Sequence, residues 1–205
     1  GINNPDIHAS LSLCLGPCEV SVSEMVSAYT AFANHGIRTA PMLVSRIEDN
    51  EGNTIATFQP RMNEVISADN AMKMLTMLMG VVDNGTAGRL RYRYNLEGQI
   101  GAKTGTTNNN SDGWFIGFTP QLVSGCWVGG EDRDIHFGSM NMGQGATMAL
   151  PIWAIFMKKL YADPSLGYSP TVKFDLPDDY NPCYHVGGND QDDFEQVNAI
   201  DEVFE

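Results

Sequence analysis

The sequence of 205 residues predicts an α+β domain, an antiparallel sheet packed by helices. Two helical patterns precede residue 85, three β-rich runs with tight links occupy 98–129, and an apolar helical pattern follows at 143–161. No internal repeat is present.

"SVSEMVSAYTAFANHG" opens with Ser21 and Glu24 at capping-box spacing and closes on Gly36, a C-terminal stop. Met25, Ala28, Tyr29 and Phe32 then share one face of the predicted helix. "MLVSRIED" and "TIATFQP" flank Asn50-Glu51-Gly52-Asn53 and predict a hairpin. Ser67 precedes "ADNAMKMLTMLMGVV", a helix whose Met72, Met74, Met77 and Met79 suit flexible core filling. "GTAGRLRYRYNLEG" reads as a basic loop in which Arg89, Arg91 and Arg93 alternate with Leu90, Tyr92 and Tyr94. That alternation suits a solvated edge, and it also fits a ribbon facing a ligand. Strands are expected at 98–106, 113–119 and 122–129, joined by "TNNNSD" and by Thr119-Pro120-Gln121. Links this short imply antiparallel neighbours. "GQGATMALPIWAIFMKKLY" predicts a closing helix, with Pro151 in its first turn and Ile152, Ile155, Phe156 and Leu160 as its buried stripe. Beyond Pro164 the periodicity ends, which divides the chain into a folded body, 1–164, and a tail, 165–205.

Charge follows the same division. The tail holds ten carboxylates against Lys173 alone, a charge of −9, and the preceding 164 residues carry 15 acids and 11 bases, −4. A nearly neutral body with an acidic appendage argues against a nucleic-acid partner, which needs a basic face. No run of 18 apolar residues is present, so no membrane-spanning helix is predicted. The opening Gly1, with no Met and no signal-peptide pattern, reads as the start of a piece of a longer protein. Cys14, Cys18, Cys126 and Cys183 form no Cys-x-x-Cys and lie at no ligand spacing from His8, His35, His136 or His185, so no metal site is expected. "CLGPC" suits a small disulfide loop or two packed thiols about a Gly-Pro turn.

The stretch richest in chemistry is "GAKTGTTNNNSDGWFIGF", residues 101–118. On an extended strand Lys103 and Gly105 face one way, and Thr104 and Thr106 the other. Lysine supplies a cation, the threonines supply hydroxyl donors, and glycine lets a ligand backbone lie against the strand. Those features suit a peptide with a C-terminal carboxylate and a reactive carbonyl. Four residues alone would also fit an ordinary edge strand with an exposed lysine.

Lys-Thr-Gly belongs to the motifs of serine β-lactamases and penicillin-binding proteins. Here "GAKTGTT" is followed by "DGWFIGFTP", "GCWVGGED" and "GATMALPIWAIFMKKL", and preceded by "LSLCLGPCEVSVSEMVSAYTAFANHGIRTAP" and "GVVDNGTAGRL". That order and spacing resembles the transpeptidase domain of class A (bifunctional) penicillin-binding proteins, from residue 9 to about 162. The resemblance implies a partial penicillin-binding-protein/serine β-lactamase-like fold. It assigns Lys103 to the site's electrostatics and the substrate carboxylate, and Thr104 and Thr106 to hydrogen bonds with that carboxylate. Gly105 completes the substrate-binding strand, and the Thr106 N–H would form half of an oxyanion hole. Trp114 is expected to be a core residue stacked on the sheet.

A strand wall cannot attack a carbonyl, so the nucleophile must be sought elsewhere. The family places it in Ser-x-x-Lys, and no serine of this chain has lysine three residues later. Ser139-Met140-Asn141 spells the family's Ser-x-Asn but follows the strand instead of preceding it, and Ser111-Asp112-Gly113 is a similar chance match. The resemblance therefore implies the C-terminal part of a transpeptidase domain, with its nucleophile region missing and the isolated chain inactive. Its parent would cross-link peptidoglycan stem peptides through a serine acyl-enzyme. The parent would be extracytoplasmic or periplasmic, anchored in the inner (cytoplasmic) membrane, with a glycosyltransferase domain. Expected partners are the stem peptide, β-lactams and the missing N-terminal part of the same protein, with no cofactor. Self-association is expected through 122–129, unless part of the tail covers that edge. Two alternatives remain: a non-catalytic binding or scaffold piece, and a β-lactamase or D,D-carboxypeptidase relative.

Overall fold

The computed structural model describes residues 1–16, 18–177 and 180. Gly1–Asp175 forms one compact unit, and the second, Leu176–Glu205, falls almost wholly outside the described residues, as does the acidic run from Asp178 onward. The first unit is built as expected, helices around an antiparallel sheet. Helix α1 (Val22–Ala33) starts at a complete capping box, in which the Ser21 hydroxyl accepts from the Glu24 N–H and the Glu24 carboxylate accepts from the Ser21 N–H. The chain then turns at Gly36, whose φ of 89° lies in the left-handed region.

Two small two-stranded sheets follow. Strand β1 (Ile37–Thr39) pairs with β4 (Met62–Glu64), and β2 (Arg46–Glu48) pairs with β3 (Thr54–Thr57) as the predicted hairpin. Helix α2 (Ala68–Asp83) is capped by Ser67, which accepts from the Asn70 N–H. Its core positions are Ala71, Leu75, Leu78 and Val82, and the four methionines flank them; Met77 is 57% exposed. The expectation of methionine core filling is thus corrected, because the leucine stripe faces the body and the methionines fall beside it.

The expected basic loop is also more than a solvated edge. It contains a short helix, α3 (Arg89–Tyr92), and buries Ala87, Leu90 and Leu96 in the main core. Arg91 pairs with Asp83 at 2.8 Å and Arg89 donates to the Ala146 carbonyl, so these cations hold the loop down.

Strands β5 (Gly101–Thr106), β6 (Asp112–Thr119) and β7 (Leu122–Gly129) make the central sheet, in the order β5-β6-β7 and wholly antiparallel. Ala102, Phe115 and Gly117 share one face with Ser124, and Phe118, Ile116 and Trp114 share the other with Trp127. Two short helices, α4 (Met140–Gly143) and α5 (Gly145–Met148), lead into α6 (Leu150–Ala162). Helix α6 covers the Phe115 face. The Trp153 ring sits 5.3 Å from that of Phe115, over Gly117, where a Cβ would lie 2.5 Å from the indole, and its N–H donates to the Ser124 hydroxyl at 2.7 Å. The buried stripe of α6 is Leu150, Trp153, Ala154, Met157 and Leu160, while Ile152, Ile155 and Phe156 are exposed. Of the expected stripe only Leu160 is buried, because the bulky indole needs the space above Gly117 and the helix rotates to give it that place.

Helix α1 meets the opposite face through Tyr29, whose ring lies 6.3 Å from that of Phe118. Packing continues past Pro164 to Asp175. Gln121 donates to the Gly167 carbonyl and accepts from the Ser169 N–H, and Phe174 is buried against Phe118 with its N–H bonded to Gln99. Cys14, Cys18 and Cys126 are free thiols, and burial pushes that of Cys126 up.

Candidate functional site

Among the described residues strand β5 pairs with β6 alone in the central sheet, so one of its sides is an edge. Thr107 lies opposite Asp112 and donates its N–H to the Asp112 carbonyl, which makes this a hydrogen-bonded pair. Hydrogen-bonded pairs alternate along an antiparallel ladder. With Thr106 opposite Gly113 and Gly105 opposite Trp114, the N–H and C=O groups of Ala102, Thr104 and Thr106 point outward from the edge.

The expected site residues lie along that edge. Lys103 is exposed, and its Nζ donates to the outward Thr104 carbonyl at 2.8 Å. The ammonium thus lies on the outward side of the edge, and the next outward N–H after the Thr104 carbonyl is that of Thr106. Gly105 lies against Trp114, whose Cβ would be 3.0 Å from a Cβ on the glycine. The Thr104 hydroxyl meets that of Thr86 at 2.8 Å. The Thr106 hydroxyl accepts the Gly145 N–H at 3.0 Å, which leaves its own proton free to donate. The edge presents a cation, a backbone N–H and a hydroxyl donor, a set suited to an extended ligand bearing an anionic group.

Some contributors carried no sequence signal. Thr86 and Gly145 support the two threonines from outside the strand, and nothing local marks either. Trp114 is half-buried instead of a core residue, and it lines a cleft of about 530 Å³ with Trp127, its neighbour on β7. Ser139 sits at the start of α4, where its carbonyl accepts from Met142 and Gly143, and Ser111 bonds the Thr107 hydroxyl. Neither serine is placed as an attacking group. Among the described residues no group of His, Cys, Asp and Glu could hold a metal ion, and no helix is long and apolar enough to cross a membrane.

Comparison with known proteins decides the family. The model for the penicillin binding protein transpeptidase domain matches residues 2–125. The chain belongs to that family. Penicillin-binding protein 1A of Aquifex aeolicus is 34% identical over 169 residues, 81% of this chain and 21% of the relative. Penicillin-binding protein 1A of Neisseria meningitidis is 34% identical over 163 residues, covering 77% and 20% of the two chains. The crystal structure of penicillin-binding protein 1A from Haemophilus influenzae superposes with a TM-score of 0.74 at 26% identity, over 86% of this chain and 31% of that one. The fold is shared too by PonA1 from Mycobacterium tuberculosis in complex with penicillin V, at a TM-score of 0.65 and 23% identity, over 87% of this chain and 46% of that one. The chain spans about a fifth of the length of the curated relatives it matches.

Proposed function

We propose that this chain supplies the substrate-binding wall of a peptidoglycan D,D-transpeptidase. One observation carries the reading: β5 is an edge strand on which the Lys103 ammonium bonds the outward Thr104 carbonyl, and the next outward N–H is that of Thr106. In this reading Lys103 attracts the terminal carboxylate of the donor peptide, or its counterpart in a β-lactam. The hydroxyls of Thr104 and Thr106 donate to that carboxylate, Gly105 lets the peptide lie close, and the Thr106 N–H stabilises the developing oxyanion.

The serine comes from outside the 205 residues, since none of the chain's serines has lysine at the third position after it. It attacks the peptide carbonyl, the leaving amine departs protonated, and the acyl-serine ester passes to an amine of a neighbouring stem peptide. The chain's own work is to bind, orient and stabilise charge, with no metal or organic cofactor. The complete protein acts outside the cytoplasm, at the inner membrane that anchors it, and residues 1–164 form the C-terminal part of its transpeptidase domain.

Acylation by a fluorescent penicillin tests this. In the complete protein Lys103→Ala slows acylation by ~10- to 100-fold, the worth of a hydrogen bond to a charged group. Thr106→Pro, which deletes the outward N–H, slows it by ~10²–10³-fold. Thr171→Ala, whose hydroxyl bonds that of Ser169 away from β5, leaves the rate unchanged. Equal rates in all three folded variants would remove β5 from the mechanism. The isolated chain forms no covalent adduct by intact-mass spectrometry, and a stoichiometric adduct on any of its serines would overturn the external nucleophile.

A further inference from the structure

The thiols of Cys14 and Cys18 take no part in the chemistry above. Their spacing suits a small disulfide loop or two packed thiols, and exposure rules out the packing. Leu11–Leu15 is a short helical turn with no buried residue, and Leu11 and Leu15 are 94% and 89% exposed. Cys14 is itself exposed, and Cys18 is half-buried.

The backbone brings the pair together. Gly16, in the left-handed region at φ 73°, donates its N–H to the Leu13 carbonyl at 2.9 Å. Cys18 then donates its own N–H to the Gly16 carbonyl at 2.8 Å. Two reversals in a row hold the cysteines closer together than the ~13 Å that four extended residues span. A disulfide asks for Cα atoms ~4.4–6.8 Å apart, so the remaining approach lies within one exposed turn.

The two ends of that turn are held unequally. After Cys18 the chain is fixed, because the Glu19 carbonyl accepts from the Asn4 side chain at 2.8 Å and Ser21 caps α1. The turn that carries Cys14 buries nothing. Cys126 differs from both: it lies on β7, and burial pushes its thiol up, which disfavours the thiolate that exchange needs.

We infer that Cys14 and Cys18 form a dithiol site that exchanges with external disulfides, Cys14 entering first and Cys18 resolving. The Cys14 thiolate attacks one sulfur of the incoming disulfide, bonds to it and releases the other half as a thiolate. The Cys18 thiolate then attacks the Cys14 sulfur, closing the ring and expelling the second half. Each cysteine gives its proton to solvent, and each expelled thiolate takes one back. Two protein thiols are thereby oxidised by two electrons, and one external disulfide is reduced to two thiols. The closed ring ties the exposed turn to the capped start of α1.

The test incubates the reduced 205-residue chain with glutathione disulfide at neutral pH. N-ethylmaleimide then blocks the remaining thiols, and the cysteine peptides are mapped by mass. The peptide holding Cys14 and Cys18 is expected to become about 2 Da lighter, to carry no glutathione and to take no maleimide. Cys18→Ser loses the ring and accumulates a stoichiometric mixed disulfide on Cys14. Cys14→Ser leaves Cys18 a free thiol over the same time. Cys183→Ser, at a position outside the described residues, closes the ring as the unaltered chain does. A persistent glutathione adduct on Cys14 of the unaltered chain, or a bond from Cys14 to Cys183 or to another chain, would overturn the assignment. So would an unchanged peptide mass, a Cys18→Ser variant that holds no adduct, or a Cys18 that reacts as fast without Cys14.

Discussion

Gly145 is the residue on which the geometry of β5 leans most. Its N–H holds the Thr106 hydroxyl, and a Cβ there would stand 2.3 Å from the Gly105 carbonyl oxygen and 2.5 Å from that of Trp114. Both obstacles are backbone, which cannot swing aside as a side chain would. Gly145→Ala is therefore expected to destabilise the chain by ~1–3 kcal/mol, the usual cost of overpacking, and to displace β5. Gly80, inside α2, offers the contrast: nothing lies within 4 Å of a Cβ placed there. Gly80→Ala is expected to stabilise by ~0.5–1 kcal/mol, through helix propensity and a less entropic unfolded chain. Urea denaturation measures both, and a tolerated Gly145→Ala would show that the α5–β5 junction is loose.

Among the elements, α1 depends on its N-terminal cap. Hydrogen bonds from Ser21, its backbone N–H foremost and then its hydroxyl, hold the Glu24 carboxyl below the ordinary carboxylate range, and desolvation opposes them weakly. Ser21→Ala is expected to cost ~1 kcal/mol of stability, as for other lost caps. The pH dependence follows in sign. A carboxyl whose folded pKa is depressed contributes fully above its unfolded pKa of ~4.3, and the contribution is lost as pH falls through the folded value. The stability gap between the wild-type chain and Glu24→Gln should accordingly narrow with acidification through that range. A gap that stays constant in thermal melts down to acid pH would mean that the carboxylate does not take part in capping.

For the whole molecule, the question is what happens at the outer side of β7. This strand ends the central sheet, and "LVSGCWVG" contains neither charge nor proline to discourage pairing. Residues up to Asp175 reach the β6–β7 turn through Gln121 and the sheet face through Phe174, so their anchors are at the turn and the face. The chain is expected to self-associate through β7, with amides of 122–129 becoming protected from hydrogen exchange as concentration rises. Light scattering that reports a monomer, with those outward amides exchanging freely at every concentration, would sink the idea.

Signals confined to a few neighbouring residues were legible before the fold was known. The capping box of Ser21 and Glu24, the Ser67 cap, the turn at Gly36, the hairpin around Gly52 and the three antiparallel strands all arise from hydrogen bonds or φ angles within one turn or hairpin. The Lys-Thr-Gly strand was legible as well, since its chemistry lies in consecutive side chains. Tertiary structure decided the rest. The period of α6 said that one side is buried, but the fit of Trp153 over Gly117 selected which side. Leu90 entered the core although its flanking arginines marked a wet loop, because Asp83 and the Ala146 carbonyl engage those cations. Thr106 meets Gly145 across 39 residues of chain, and the two tryptophans of the cleft meet only because β6 and β7 pair in that register. Such contacts join segments far apart in sequence, and their energy depends on shapes and spaces that exist only once the chain has folded.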